Sequence, residues 1–142
     1  MIDYRANSEV KDVDVAGKAL KTDFDTIKGD VLNVLPAMRA ADIARSTGLI
    51  NANNRWCGVN WLNMESTAVP GIHVLGDATL SAPAMPKSGH MANQHGKLAA
   101  SAIIEIMNGR QPNQTPMVAN TCYSFVSDKE VIHVSSVHQF DA

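Results

Sequence analysis

Three side chains, Asp77, Lys87 and Ser88, have types and spacing that suit chemistry on a bound group. Gly76-Asp77 closes the short apolar run of Ile72, Val74 and Leu75, and Lys87 follows just before Ser88 and Gly89. A carboxylate at the end of a strand can address a polar ligand, because ligands of open α/β sheets sit outside that end. The glycine before it lets the backbone come close. Ser88 is a helix-capping residue type, and a helix starting at Gly89 would turn free N–H groups and partial positive charge toward the loop beside Lys87. An electron-rich or anionic group would be stabilised there. Two blander readings stand beside these: Asp77 closing a turn with its own backbone, and Lys87 as an ordinary surface lysine.

The two cysteines read differently. Cys57 follows Trp56 in a strand-like stretch and suits a buried, inert thiol, whereas Cys122 lies in the polar string NTCYS. Neither belongs to a CxxC or to a Cys/His cluster at ligand spacing, so a zinc site and a disulfide scaffold are both excluded. His90 and His95 are five apart, as are His133 and His138, which misses the i, i+4 spacing of helical metal ligands. All five histidines are read as structural or solvent-facing, with His90 alone beside the loop-to-helix junction. No GxSxG is present to support a serine nucleophile, and the glycosylation pattern Asn113-Gln114-Thr115 is too short to carry weight.

The elements that must hold these residues follow from periodicity. Val10, Val13 and Val15, then Ala19, Leu20 and Thr22, predict two strands turning at Ala16-Gly17, with a second turn over Asp25 to Gly29. Val31 to Leu35 predicts a short buried strand stopped by Pro36, and Ala40 to Ser46 a short helix closed by Gly48. Asn51 to Asn54 reads as a loop, Cys57 to Asn63 as a strand, and Met64 to Pro70 as the approach to the Gly-Asp strand. From Ser88 a long helix runs to Gly109, with Asn93, Lys97, Ser101 and Glu105 as its polar stripe. Leu98, Ala99, Ala102, Ile103, Ile106 and Met107 form its apolar face. Arg110 to Asn120 reads as a linker. Tyr123 to Val126 and Val131 to Val137 predict a hairpin around Ser127 to Glu130.

Composition sets the frame. The chain has 142 residues, 45% hydrophobic and 18% charged, which is ordinary for a globular domain with its own core. A net charge of −2 with no aromatic-interleaved basic cluster argues against nucleic acid as a partner. No apolar run approaches the roughly 20 residues of a membrane span, and the first ten residues lack the pattern of an export signal. The nine glycines nowhere form GxGxxG, the cradle of a dinucleotide pyrophosphate.

The string GIHVLGDA at 71–78 resembles the second FAD motif of the glutathione-reductase-like flavoproteins with two dinucleotide-binding domains. MPKSGHMANQHGKLAASAI at 85–103, followed by NTCYSF at 120–125, resembles the flavoprotein subunit of flavocytochrome c sulfide dehydrogenase. Upstream, DVLNVLPAMRAADIARSTGLI and NRWCGVN resemble that subunit's return from its NAD-like domain to its FAD domain. The implied fold class is α/β, or α+β as an isolated piece: the C-terminal part of a Rossmann-like flavoprotein fold. The implied domains are 1–36, the end of the NAD-like domain; 37–112, the C-terminal half of the FAD domain; and 113–142, the start of a C-terminal flavocytochrome-type domain. A longer parent, extending before Met1 and past Ala142, is expected.

The resemblance further implies FAD contacts from Gly76, Asp77, Lys87, Ser88, Gly89 and Asn93. Cys122 would be one half of a redox-active disulfide facing the flavin, its partner lying in the amino-terminal part of the parent. The activity implied is electron transfer from sulfide through FAD to a c-type cytochrome subunit in the periplasm. Without GxGxxG this chain alone is expected to bind FAD weakly or not at all, and to self-associate through faces meant for the rest of the parent. Two alternatives remain. A sulfide:quinone oxidoreductase shares the Gly-Asp and PK(S/T)G patterns, yet wants an apolar C-terminal face that Asp128, Lys129 and Glu130 interrupt. The other is a non-catalytic folding or dimerisation module.

Overall fold

A computed structural model describes residues 2–140, so the outer bounds of the first and last expected domains lie outside the described residues. The chain divides into two compact units, one ending at Ala37 and one starting at Met38. Helix and strand are mixed, an α+β arrangement, and no described helix is long and apolar enough to cross a membrane.

The first unit is an antiparallel meander of β1 (Val10–Asp14), β2 (Ala19–Thr22) and β3 (Thr26–Lys28). The β1–β2 turn is held by the Asp14 carboxylate, which accepts from the Gly17 N–H at 2.8 Å. The second turn falls earlier than its expected place at Asp25 to Gly29. Thr22 Oγ1 accepts from the N–H groups of Phe24 and Asp25, closing the chain at once and leaving 26–28 to pair with β2. Val31 to Leu35, expected as a buried strand, forms none: Val31 is 89% and Leu35 88% exposed. An extended apolar run becomes a strand only where a neighbour takes up its backbone groups, and no described strand pairs with this one.

The second unit holds the core. α1 (Asp42–Ser46) forms as expected, and Gly48, at φ +73, ends the turn behind it. Of the strand expected over Cys57 to Asn63, β4 (Val59–Asn60) pairs with β5 (Glu65–Ser66), and Cys57 makes a single parallel bridge to Thr79. Asn51 closes the chain beside it, accepting from Gly58 N–H and donating to Thr67 Oγ1, each at 2.7 Å. The Gly-Asp segment is likewise not a ladder strand. His73 makes a single bridge to Glu65, and Gly76–Ala78 is a 3₁₀ turn.

α2 (Gly89–Met107) starts at Ser88, whose Oγ accepts from Met91 N–H at 3.0 Å. It ends in a Schellman arrangement: Gly109, at φ +71, donates to the Ile106 carbonyl and Arg110 to the Glu105 carbonyl. The expected polar stripe does face solvent, with Arg110 paired to Glu105. The buried face is Met91, His95, Ala99 and Ala102. Ile106 and Met107, expected on the apolar face, are exposed, because they lie past the residues that cover the helix. β6 (Met117–Phe125) and β7 (Val131–Gln139) form one long hairpin, so the end of the expected linker, Met117 to Asn120, belongs to β6.

Candidate functional site

The turn at Gly76 is fixed from both sides. Its positive φ of +64 suits glycine, and a Cβ there would stand 3.0 Å from Ala92 Cβ, so only glycine lets the turn lie against α2. Its N–H donates to His95 Nδ1 at 3.1 Å. The next residue, Asp77, keeps its side chain exposed.

Lys87 reaches across this turn. Its Nζ donates to the Asp77 carbonyl at 2.8 Å and to the Thr79 carbonyl at 2.6 Å, and it sits 3.8 Å from the ring centre of Trp56. Two carbonyls and an aromatic face replace water around a half-buried ammonium, and burial holds its pKa below the ordinary lysine value. The ammonium is therefore engaged with the Asp77–Thr79 turn rather than directed at the start of α2. Trp56, the residue on which it lies, carried no warning in the sequence beyond its neighbour Cys57.

The start of α2 is open. Gly89 and His90 are exposed, and a Cβ on Gly89 would meet no atom within 4 Å. Ser88 both caps Met91 and hydrogen-bonds Asn120 Oδ1. Asn120, only 3% exposed, turns its Nδ2 to Cys122 Sγ at 3.2 Å. The Thr121 N–H donates to His90 Nδ1 at 3.1 Å. These contacts join the first turn of α2 to Cys122 by way of one buried amide. Cys122 itself is exposed and free, two residues beyond Asn120 on the same face of β6, where the cover of α2 ends. Asn93, one turn into the helix, is exposed on the polar stripe.

Thus the structure brings Ser88, Gly89, His90 and Cys122 to one end of α2. Gly76, Asp77 and Lys87 form a turn packed beside the same helix. Asn120 was missed because it fell in the stretch taken for a linker; strand alternation places it on the face of Cys122 once β6 is recognised. Cys57 is fully buried and free, and burial pushes its thiol up, which makes it a poor nucleophile. Among the described residues no cluster of His, Cys, Asp or Glu could hold a metal ion.

The open first turn fits an electron-rich group: exposed backbone at Gly89, space above it, and a capped helix whose dipole favours negative charge. A comparison with known families points the same way. Residues 114–142 match the family model described as flavocytochrome c sulphide dehydrogenase, flavin-binding. The stretch runs from the end of the α2–β6 connection through Cys122 and β7, and the domain it matches is a flavin-binding one.

Proposed function

From the premise that residues 114–142 carry the flavin-binding family of flavocytochrome c sulphide dehydrogenase, we propose that the chain is the C-terminal portion of an FAD-dependent sulfide dehydrogenase. Residues 1–36 are assigned to the end of its NAD-like domain, 37–112 to the second half of a Rossmann-like FAD domain, and 113–142 to the start of the flavocytochrome-type domain. A c-type cytochrome subunit is the partner, and the setting is periplasmic. The observation that carries the reading is the chain of contacts from the α2 cap through Asn120 to the exposed Cys122.

In this reading Gly89 and His90 present backbone N–H groups to the cofactor, while Asp77 addresses it from the adjoining turn. Ser88 and Gly76 hold those two segments in place, and Lys87 pins the Asp77–Thr79 backbone. Asn93 lies one turn further along the same helix, at the edge of the contact. The chemistry FAD supplies when bound is acceptance of an electron pair and its release one electron at a time to the cytochrome. Cys122 is one half of a disulfide whose other half lies elsewhere in the parent. Hydrosulfide attacks one sulfur of that disulfide: a new S–S bond forms, the Cys–Cys bond breaks, and the displaced cysteine leaves as a thiolate. The sulfide sulfur is oxidised and the disulfide reduced by the same electron pair, and the proton of hydrosulfide passes to solvent. Asn120 Nδ2, donating to Sγ, suits a sulfur anion at Cys122.

The test uses the full-length flavoprotein. Cys122→Ser should retain FAD yet slow flavin reduction by sulfide by orders of magnitude, while dithionite still reduces it. Cys57→Ser should leave sulfide-driven reduction near normal. Loss of reduction in the Cys57 variant alone would move the reactive position and sink the assignment.

A further inference from the structure

Asn108 is the one asparagine of the chain that is followed by glycine. The pair closes α2: Asn108 is its C-cap residue, at φ −93 and ψ 10, and Gly109 takes the left-handed φ of +71 that the Schellman turn requires. An asparagine amide carbon is an electrophile, and the backbone nitrogen of the next residue is the nearest nucleophile. A side chain on that next residue obstructs their approach, and glycine has none. Around Gly109 the space is open as well, since a Cβ there would meet no atom within 4 Å, and both residues are exposed. The residue that ends the helix is thus the one that leaves Asn108 open to attack.

In the closed cap both reacting groups are engaged. Asn108 Nδ2 donates to the Ile104 carbonyl at 2.7 Å, which draws the side chain back by one turn. The Gly109 N–H donates to the Ile106 carbonyl and the Arg110 N–H to the Glu105 carbonyl, each at 2.9 Å. The Arg110 guanidinium adds an ion pair with the Glu105 carboxylate. An amide nitrogen attacks only after giving up its proton, and a carbonyl that holds the proton opposes its loss. Attack therefore waits for the last turn to open, as helix ends do most readily.

We propose that Asn108 is a site of spontaneous deamidation, gated by opening of the α2 C-cap, and that its product keeps the cap from closing as before. Once the turn is open and solvent base has taken the Gly109 amide proton, the nitrogen attacks Asn108 Cγ. An N–C bond forms, the Cγ–Nδ2 bond breaks, and Nδ2 leaves as ammonia with a proton from solvent, giving a succinimide ring. Water then adds to either ring carbonyl and returns a hydrogen to the nitrogen, leaving aspartate or isoaspartate at 108; nothing is oxidised or reduced. Both products oppose the cap. The donor to Ile104 is lost, and a carboxylate stands at the negative end of the helix dipole, three residues from Glu105 and in competition with it for Arg110. In isoaspartate the main chain also runs through an extra methylene, which puts the Gly109 N–H out of register with the Ile106 carbonyl. The inference holds whether or not the chain serves a flavin.

The test incubates the whole chain in mildly alkaline buffer and reads the tryptic peptide Leu98–Arg110, in which Asn108 is the only asparagine. Aspartyl and isoaspartyl forms should both accumulate. The same peptide free in solution, with no cap to open, should convert about tenfold faster or more. Urea too dilute to unfold the chain by circular dichroism should raise the rate in step with hydrogen exchange at the Gly109 amide. Asn108→Asp, which carries the charge without the chemistry, should speed exchange of the Gly109 and Arg110 amides about two- to fivefold. Three results overturn the proposal. Asn108 still intact in the folded chain after about a hundredfold the half-life of the free peptide would mean that the cap does not open to attack. Equal rates in folded chain and free peptide would remove the gate, and unchanged amide exchange in Asn108→Asp would remove the effect on the cap.

Discussion

Lys87 sits in the fold otherwise than its place in the sequence suggests. Its position before the helix cap suggested a charge held over the helix end, yet its donors go to the Asp77 and Thr79 carbonyls and its charge lies on Trp56. The sequence could not reveal this, because Trp56 and Lys87 are thirty-one positions apart and meet only in the fold. Lys87→Met should keep the stem packed on Trp56 while leaving two carbonyls short of a donor. A loss of about 2 kcal/mol in unfolding free energy is expected by urea titration; an unchanged midpoint would return Lys87 to the surface-lysine reading. His95 gives a prediction in pH. Its pKa is lowered in the folded chain, so the unfolded state takes up a proton first as pH falls below the ordinary histidine value of 6.5. The stability it confers is whole above that pH and declines as pH drops from there toward the folded value. Melting temperature should therefore fall between pH 7.5 and pH 5.5, and His95→Gln should flatten that slope.

At the level of elements, the helix was the most legible part and the strands the least. α2 has its cap, its terminating glycine and its stripe of polar residues written locally, and each is where the sequence predicts it. Val31 to Leu35 has strand composition but no strand partner among the described residues, and Ile72 to Leu75 gets no further than the single His73–Glu65 bridge; β character depends on a partner more than on the residues themselves. The converse error came at Met117 to Asn120, where Pro and Asn neighbours suggested a linker although β7 was long enough to pair with it. Because Asn120 lies there, the element error hid the residue that links Ser88 to Cys122. That link makes the helix start more than a cap. Ser88→Ala should lose both the Met91 cap and the Asn120 contact and cost about 1–2 kcal/mol, whereas Ser88→Asp should preserve the cap alone. If alanine and aspartate prove equally stable in thermal unfolding, the cap contributes nothing and the helix start is held by packing.

Across the molecule, apolar surface is distributed in a way that a finished monomer avoids. α2 covers β6 only as far as Asn120; beyond it the hairpin carries Tyr123 at 73%, Phe125 at 80% and Val134 at 65% exposure. Tyr123 and Phe125 share one face of β6 and Cys122 the other, so both faces of the distal hairpin are uncovered. A two-stranded ribbon is at best marginally stable in water without packing on one face, and exposed apolar strands invite pairing with another chain. In the proximal half one face is covered, with Val118 and Asn120 buried under the helix, while Met117 and Val137 on the other face are exposed. The chain should therefore self-associate through the distal hairpin, with an average mass by light scattering that rises with concentration. Tyr123→Lys together with Phe125→Lys, which leaves the α2 contacts of β6 untouched, should shift it toward the monomer without loss of helix by circular dichroism. A mass equal to one chain at every concentration would mean that the exposed residues do not drive association. An oligomer unchanged by both lysines would place the contact elsewhere, and the uncovered residues of the first unit, Val31 and Leu35, would be the next to substitute.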